Sequence, residues 1–324
     1  MKPDLAIVIP VYNEEEVLPQ LFKALEQMSK ALKNNKVTHH IIFVDDGSTD
    51  KSQILLQRFA DRSNIPTTII KLTRNFGHQA AIQAGYKHAE AKYIASIDAD
   101  LQDDPLLIPK MYARLIKSGK DIILAQRKRR QEHSFLKLIT ARIYYKIYNL
   151  LADYPIPEEV ADFRIISNRV RKDLLKIKAY PRFFRGAIAY LGYPYTLFQY
   201  ERNPRSAGKT KYSLKKMLQL AVTGLLNYST KTTWLMPLWF LLGSILTYST
   251  SIILHHLDTS LYITYLIPWI GVIITTFPIV YLHFKFLVHL NQIATHKPVF
   301  VVDYIYNNRY AQRLNQRKTS KRTK

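Results

Sequence analysis

Apolar runs alternate with helical stretches over the first 125 residues of the chain. Leu5–Val11 is a continuous apolar run, typical of a buried parallel strand, and residues 14–32 carry apolar side chains at helical spacing. Further strands are predicted at 40–44, Thr67–Leu72, 93–97 and 121–125, and further helices at 52–60, 77–89 and 105–117. Because crossover helices connect parallel strands, this alternation predicts an α/β fold with an open, mostly parallel sheet.

Two long stretches without charge follow in the second half of the chain. Residues 232–254 and 259–284 contain 23 and 26 residues without Asp, Glu, Lys or Arg. Since about 20 apolar residues cross a bilayer, we expect a hairpin of transmembrane helices at about 232–254 and 262–286. The loop between them has no Lys or Arg, whereas the segment after Tyr304 has seven and no acid. The positive-inside rule therefore places the loop outside and both termini in the cytosol.

The charge of the chain is concentrated in its second half. Residues 1–125 hold 16 Lys/Arg against 15 Asp/Glu, whereas residues 126–324 hold 31 against 9. Nucleic acid, an anionic membrane or a phosphorylated substrate would each match such a basic half, and the apolar stretches favour the membrane. Segments 134–151 and 212–226 mix basic and apolar residues at helical spacing, which predicts interfacial helices on the inner leaflet or, alternatively, core-facing helices.

Composition excludes several classes of protein. The chain has no cysteine, so disulfides, thiolate metal sites and a cysteine nucleophile are excluded. Its 48% hydrophobic residues, with 10 Gly and 15 Pro, are typical of a folded protein. The first apolar run is too short for a signal peptide and is followed by acidic residues, so we expect the N-terminus to stay in the cytosol.

Acidic side chains follow two of the predicted strands. Asp45 and Asp46 come after the second strand, and Asp98 and Asp100 come after the fourth. Because ligands of open α/β sheets bind outside the carboxyl ends of the strands, we expect these carboxylates at one binding edge. A lone Asp-x-Asp is more often a solvated turn. Two acidic strand ends at one edge favour a divalent cation that carries a nucleoside diphosphate.

Seven sequence segments match a known family in order. They are IPVYNE at 9–14, VDDGSTD at 44–50, RNFGHQAA at 74–81, DADLQD at 98–103, VADFR at 160–164, RFFRG at 182–186 and AGKTKY at 207–212. The chain resembles family 2 glycosyltransferases of the GT-A fold. Within that family it is similar to the polyprenyl-phosphate glycosyltransferases, which include dolichol-phosphate mannosyltransferases and bacterial undecaprenyl-phosphate glucosyltransferases.

The resemblance implies a domain organisation. A cytosolic GT-A domain would occupy 1–211, and a juxtamembrane amphipathic helix would occupy 212–231. Two transmembrane helices would lie within 232–288, and a basic cytosolic tail would occupy 289–324. The protein would thus be a multi-pass protein of the cell membrane with its catalytic domain in the cytosol. A homo-oligomer, a tetramer, is also implied by the resemblance.

The resemblance also assigns roles to matched positions. The pocket for the donor nucleotide would contain Pro10, Tyr12, Glu14, Asp46 and Asp98. Mg²⁺ or Mn²⁺ would be held by Asp100 and Gln102 together with Asp98. Asp100, Asp162 and Arg164 would be catalytic, with Asp162 positioning the acceptor or acting as a weak base.

Cations are needed for the other substrate. A lipid monophosphate is largely ionised at pH 7, so the site requires positive charge more than a strong base. The candidate phosphate-binding residues are Arg127, Arg130, Arg164, Arg202, Arg205, Lys209 and Lys211. For each single cation, a solvated charge or a contact with an anionic membrane lipid is the alternative interpretation.

The implied reaction is inverting transfer of one hexose from a nucleotide sugar, UDP-glucose by resemblance, to undecaprenyl phosphate on the cytosolic membrane face. The product would be a lipid-linked sugar donor for cell-envelope glycan or teichoic-acid modification. UDP-N-acetylglucosamine and GDP-mannose are alternative donors. A processive polysaccharide synthase is disfavoured, because no Gln-x-x-Arg-Trp motif is present. A non-catalytic membrane scaffold, or a basic membrane protein that recruits nucleic acid, would also match this composition, although the basic charge needs no nucleic acid to explain it.

Overall fold

The computed structural model describes residues 2–128, 146, 149–177, 183–202, 229, 231–256, 261–295 and 297–308. They divide into two units. The first unit contains the described residues up to 128, those from 156 to 202 and those from 298 to 308. The second contains residues 146, 149–155, 229, 231–256, 261–295 and 297. The predicted interfacial segments 134–151 and 212–226 lie almost entirely outside the described residues.

The first unit is built on a mixed sheet of eight strands among the described residues. The strands are β1 (Leu5–Val11), β2 (His39–Asp45), β3 (Thr67–Leu72), β4 (Tyr93–Ser96), β5 (Ile122–Arg127), β6 (Val160–Ser167), β7 (Tyr195–Tyr200) and β8 (Val302–Asn307). The helices are α1 (Leu18–Asn34), α2 (Ser52–Arg62), α3 (His78–His88), α4 (Leu107–Ser118), α5 (Asn168–Lys176) and α6 (Phe184–Leu191). The strand order is β7-β5-β6-β4-β1-β2-β3-β8.

The sheet is mixed rather than mostly parallel. β1 pairs in parallel with β2 and β4, β2 with β3, and β5 with β7. β6 is antiparallel to both β4 and β5, and β8 is antiparallel to β3. The predicted parallel order therefore holds for β1 to β4. It fails beyond them because β6 inserts between β4 and β5 in the opposite direction.

Burial explains why the first four strands could be predicted from the sequence. Every residue of Leu5–Val11 is buried, as expected for a central strand covered by helices on both faces. Helix α3 packs closely on this strand at Gly85, where an added Cβ would lie 2.2 Å from a methyl carbon of Val8. Because the approach is this close, α3 is fixed on the sheet. Its N-terminal residue, His78, lies at the carboxyl edge of the strands.

Strand β8 joins the sheet from the far end of the chain, within the segment that was expected to be a cytosolic tail. The hydroxyl of Tyr304 accepts hydrogen bonds from Gln53 and Gln57 at 2.8 and 3.0 Å. The buried side chain of Asn308 accepts from the backbone N–H of Thr67 at 3.1 Å and donates to the carbonyl of Ile65 at 2.9 Å. These contacts cover the open edge of β3.

The second unit contains two long helices, α7 (Lys231–His256) and α8 (Leu261–Ala294). They pack closely at Gly271, where an added Cβ would lie 2.6 Å from Cγ2 of Thr247. Both helices overlap the predicted spans at 232–254 and 262–286. In the part of the chain that the structure describes, however, no helix has the length and apolarity needed to cross a membrane, so the predicted hairpin is not supported.

Candidate active site

The loops that follow β1 and β2 are fastened to each other by hydrogen bonds. The backbone N–H of Asn13 donates to Oγ of Ser48 at 3.0 Å, and the N–H of Glu14 donates to Oγ of Ser52 at 2.9 Å. Asn13 has a positive φ of 51°, a turn conformation that Asn tolerates. Next to it, Tyr12 is 37% exposed. The structure thus brings Tyr12 and Glu14 to the rim of the sheet edge, whereas Pro10 is buried inside β1, and their part in a nucleotide pocket stays a prediction.

Asp46 holds the loop that leads into α3. Its Oδ1 accepts a hydrogen bond from the N–H of Phe76 at 2.7 Å, and its Oδ2 accepts one from the N–H of Gly77 at 2.9 Å. Burial raises the pKa of Asp46, although these two hydrogen bonds oppose the rise. At Gly47, with φ of 70°, an added Cβ would lie 2.5 Å from the carbonyl carbon of Arg74. The sequence did not predict this contact between the two loops.

His78 lies between two carboxylates at the centre of the edge. Its Nε2 is 3.3 Å from Oδ1 of Asp98 and 3.6 Å from Oδ2 of Asp162. Burial lowers the pKa of His78, but the charges of Asp98 and Asp162 outweigh burial and raise it to about 9. His78 is therefore a cation at neutral pH. The pKa of Asp98 is raised by its burial, against the opposing effect of His78.

Asp162, in β6, is the most heavily paired carboxylate of the site. Its Oδ1 pairs with Nη2 of Arg164, and its Oδ2 lies 3.7 Å from Nη2 of Arg185. Oδ2 also accepts a hydrogen bond from the side-chain amide of Gln79 at 3.0 Å. Burial raises the pKa of Asp162, but Arg185, Arg164 and His78 outweigh it and hold the pKa well below its usual value. Asp162 therefore stays ionised at neutral pH, and its partners hold it in one position.

The two arginines beside Asp162 differ in exposure. Arg164 is 1% exposed, and its guanidinium lies 5.9 Å from the ring centre of Phe184. The sequence led us to expect that Arg164 binds the lipid phosphate. Because Arg164 is buried and paired with Asp162, it does not present its charge to such a phosphate. Arg185, in α6, is 28% exposed. It was not among the predicted site residues, although the RFFRG segment that contains it was recognised.

The predicted metal ligands lie in the acid loop, residues 98–103. The backbone N–H of Gln102 donates to Oδ1 of Asp100 at 3.1 Å. Oδ1 of Asp98 is buried, and apart from its ion pair with His78 at 3.3 Å it accepts no hydrogen bond from the described residues. Within the described ranges, no group of three or more His, Cys, Asp or Glu side chains is arranged to hold a metal. The metal site therefore stays a prediction at this point.

A buried carboxylate, Asp103, ends the acid loop. Its Oδ1 accepts hydrogen bonds from the hydroxyl of Tyr200 and from Nε of Arg202, the latter at 3.1 Å. Nη2 of Arg127 lies 3.9 Å from its Oδ2. Burial and the charge of Asp103 raise the pKa of Tyr200. Arg127 and Arg202 were predicted site residues and Asp103 was not, although it is the last residue of the recognised DADLQD segment.

Four predicted phosphate-binding residues lie outside the described part of the chain: Arg130, Arg205, Lys209 and Lys211. The described residues bring together Asp98, Asp100, Asp162 and the arginines Arg127, Arg164 and Arg202. Around them they add His78, Asp103 and Arg185.

Comparison with known proteins shows which family the chain that forms this site belongs to. The family model described as "Glycosyl transferase family 2" matches residues 6–175. The chain belongs to glycosyl transferase family 2. Family membership confirms the predicted enzyme class: the protein is a glycosyltransferase, and its first unit is an α/β mixed-sheet domain of GT-A-like type.

Curated relatives extend over most of the chain. An uncharacterized glycosyltransferase of Bacillus subtilis, YkcC, is 38% identical over 226 residues, which are 70% of this chain and 68% of that protein. The prophage bactoprenol glucosyl transferase homolog of Escherichia coli is 34% identical over 228 residues, 70% of this chain and 72% of that protein. The bactoprenol glucosyl transferase of Shigella phage SfV is 33% identical with the same coverage. The predicted similarity to enzymes of this kind is confirmed.

Solved structures of low identity align with about two thirds of the chain. Residues 1–349 of Staphylococcus aureus TarS align with 69% of this chain and 66% of that one, with 17% identity and a TM-score of 0.45. Glucosyl-3-phosphoglycerate synthase of Mycobacterium tuberculosis, in complex with Mn²⁺, UDP and phosphoglyceric acid, aligns with 69% of this chain and 77% of that one, with 15% identity and a TM-score of 0.49.

Proposed function

We propose that this enzyme transfers a single hexose, with inversion, from a nucleotide sugar to undecaprenyl phosphate. The single observation that carries the proposal is the pairing of Asp162 with Arg164, Arg185 and His78, beside the acid loop. This arrangement puts fixed positive charge next to carboxylates at one sheet edge, which suits two phosphate-bearing substrates. The names of the bactoprenol glucosyl transferases at 33–34% identity support the polyprenyl acceptor.

The nucleotide would bind at the loops after β1 and β2. Tyr12 offers an exposed ring at this rim, and Glu14 lies beside it with its backbone anchored to Ser52. Asp46 would act there by holding the loop of Phe76 and Gly77, since both of its oxygens accept backbone hydrogen bonds. We favour UDP-glucose because the named relatives are glucosyl transferases. UDP-N-acetylglucosamine and GDP-mannose are the alternative donors.

The residues of the acid loop fit a divalent cation in their chemistry. Oδ1 of Asp98 is a buried oxygen that lies 3.3 Å from Nε2 of His78 in an ion pair and accepts no hydrogen bond from the described residues, and the loop adds the carboxylate of Asp100 and the amide of Gln102. Such hard oxygen ligands suit Mg²⁺ or Mn²⁺. When bound, the cation would stabilise negative charge on the departing nucleoside diphosphate as a Lewis acid.

The acceptor would need orientation more than deprotonation. A phosphate monoester has a second pKa of about 6, so its attacking oxygen is already largely ionised at neutral pH. Asp162 has a lowered pKa and is therefore a poor proton acceptor, which suits a positioning role. The partly exposed Arg127, Arg185 and Arg202 would face the phosphate. Arg130, Arg205, Lys209 and Lys211 stay predicted contributors.

We further propose that the enzyme acts at the cell membrane, with its catalytic unit and both termini on the cytosolic side. In support, α7 and α8 expose large apolar side chains, which are uncommon on helices that face water. Leu246 is 63% exposed, and Trp269 and Phe277 are each 68% exposed. The excess of 31 Lys/Arg over 9 Asp/Glu after residue 125 suits anionic lipids. The tetramer stays a prediction from resemblance.

Topology is tested with single cysteines in this cysteine-free chain. Cysteine at Ser260, between the two long helices, should label from outside intact cells, and cysteine at Ser320 should label only after permeabilisation. If both positions label only after permeabilisation, the two-helix hairpin is excluded.

The function is tested by incubating membranes that contain the enzyme with radiolabelled UDP-glucose, UDP-N-acetylglucosamine or GDP-mannose and extracting the lipid. We expect label in a lipid that carries one sugar, from UDP-glucose. A long polymer would instead indicate a processive synthase, and lack of nucleotide binding would indicate a scaffold. Salt-sensitive binding of RNA or DNA would favour recruitment of nucleic acid.

A further inference from the structure

Asp103 is a buried carboxylate that joins three elements of the first unit. It ends the acid loop, and it is 1% exposed. Its Oδ1 accepts hydrogen bonds from the hydroxyl of Tyr200, the last residue of β7, and from Nε of Arg202 at 3.1 Å. Its Oδ2 lies 3.9 Å from Nη2 of Arg127, the last residue of β5. One carboxylate thus ties the acid loop to the ends of two neighbouring strands.

The guanidinium groups around Asp103 reach solvent where the carboxylate does not. The side chains of Arg127 and Arg202 are 29% and 24% exposed. Two positive charges against one negative charge leave the cluster with a net charge of +1. A guanidinium presents five N–H donors in a planar fork, which matches phosphate oxygens. Asp103 holds Arg202 by a direct hydrogen bond, and it holds Arg127 by charge at 3.9 Å and through the hydroxyl of Tyr200, so the orientation of both guanidinium groups is set before a ligand binds.

The position of this cluster in the sheet separates it from the proposed nucleotide pocket. The order β7-β5-β6-β4-β1-β2 puts β5 and β7 on one side of β4, and β1 and β2 on the other. Arg127 ends β5, and Tyr200 ends β7. The arginines around Asp103 therefore lie on the side of the acid loop that a second substrate would occupy.

We infer that Asp103 is a positioning residue for the acceptor phosphate, because it orients Arg127 and Arg202 and fixes both to the acid loop. The inference rests on the proposed function, since the phosphate is that of the lipid acceptor. The hydroxyl of Tyr200 belongs to the same hydrogen-bond network: it donates to Asp103 and accepts from Nε of Arg127 at 3.4 Å. Without the carboxylate, both arginines lose their shared partner, and the phosphate must order them on binding.

The test is Asp103→Asn in the full-length enzyme, assayed in detergent with radiolabelled UDP-glucose and undecaprenyl phosphate. The substitution keeps the shape of the side chain and removes its charge. We expect the KM for undecaprenyl phosphate to rise about tenfold, while the KM for UDP-glucose stays within about twofold. The matched control is Asp121→Asn, which removes an aspartate paired with Arg169 elsewhere in the same unit. The control should leave both KM values unchanged.

Each outcome decides the inference. An acceptor KM that stays within about twofold of the wild-type value in Asp103→Asn overturns it, and so does an equal rise in both KM values. Wild-type enzyme that makes no lipid-linked sugar overturns the proposed function instead. If Asp103→Asn does not fold, Tyr200→Phe decides, because it removes the shared hydroxyl and keeps every charge. There we expect an acceptor KM about threefold higher, and an unchanged acceptor KM overturns the inference.

Discussion

The proposed donor side and the proposed acceptor side of the site are held by different forces. On the donor side, side-chain oxygens accept hydrogen bonds from backbone amides, as in the contacts of Asp46 with Phe76 and Gly77. On the acceptor side, carboxylates pair with guanidinium groups, as in the contacts of Asp162 with Arg185 and Arg164. The donor side is therefore held in place by hydrogen bonds to backbone amides, and the acceptor side by ion pairs.

This difference follows the distribution of charge along the chain. The donor loops lie in the nearly neutral first 125 residues, and all the arginines of the acceptor side lie in the strongly basic remainder. Ion pairs that are partly exposed weaken as salt screens them, whereas hydrogen bonds to backbone amides do so much less. The two sides should consequently respond to different substitutions.

The largest effect is expected between the two sides, in the acid loop. Asp100→Asn should lower formation of lipid-linked sugar at least about 100-fold, because the proposed cation loses a charged ligand. Excess EDTA should have the same effect on the wild-type enzyme. The control is Asp104→Asn: Oδ1 of Asp104 accepts from the N–H of Leu106 at 2.9 Å, a contact that the amide oxygen retains. Wild-type turnover in Asp100→Asn would exclude this residue as a metal ligand.

The next effect separates the two sides directly, starting from the acceptor side. Arg185→Ala should raise the KM for undecaprenyl phosphate by about one to two decades, since a charge-assisted hydrogen bond contributes about 1.5–3 kcal/mol. Binding of the nucleoside diphosphate, measured by calorimetry, should be unchanged. The control is Arg169→Ala, which removes an exposed arginine paired with Asp121 away from this edge.

Asp46→Asn should give the reverse pattern. Asparagine keeps one acceptor oxygen but turns an NH₂ group toward a backbone N–H, so the loop of Phe76 and Gly77 loosens. We expect nucleoside diphosphate binding to weaken about tenfold, with little change in the acceptor KM. If Arg185→Ala weakened nucleotide binding as much as Asp46→Asn does, the division into two sides would be wrong.

The contrast between the sides also explains how much the sequence could predict. Strands β1 to β4 are buried runs with helices between them, so periodicity located them within one or two residues. β6 was recognised only as the motif VADFR, and β8 follows a 34-residue helix, so its pairing with β3 depends on contacts that are distant in the chain. Such long-range pairing leaves no periodic signal.

The same limit applies to the site residues. Asp98 and Asp100 could be placed at the binding edge because they follow a predicted strand directly. Whether an arginine is exposed depends on its tertiary partner, which a motif does not specify. Arg164 and Arg185 were both in recognised motifs, and only the structure separates the buried cation from the exposed one.

A smaller effect concerns His78, which lies between the two sides. Its pKa is raised to about 9 from 6.5, so its ion pairs stabilise the fold fully below pH 6.5, and this contribution is lost as the pH rises through about 9. Allowing for solvent at its 33% exposed side chain, the loss should be about 1–2 kcal/mol. Thermal unfolding in EDTA measures it, with His78→Gln as the comparison. An equal pH dependence in both proteins would contradict the assignment.

The smallest effect is expected at the sheet edge beyond the donor side, at Tyr304. Tyr304→Phe removes the hydroxyl that accepts hydrogen bonds from Gln53 and Gln57, both in α2, and it keeps the ring in place. We expect a loss of about 1 kcal/mol in the free energy of unfolding, measured in urea. Both KM values should stay within about twofold, because the donor loops are fastened to each other by Asn13 and Asp46 rather than by β8. A selective rise in the donor KM would show that β8 also supports the nucleotide pocket, and the donor side would then depend on a strand from the far end of the chain as well as on its own two loops.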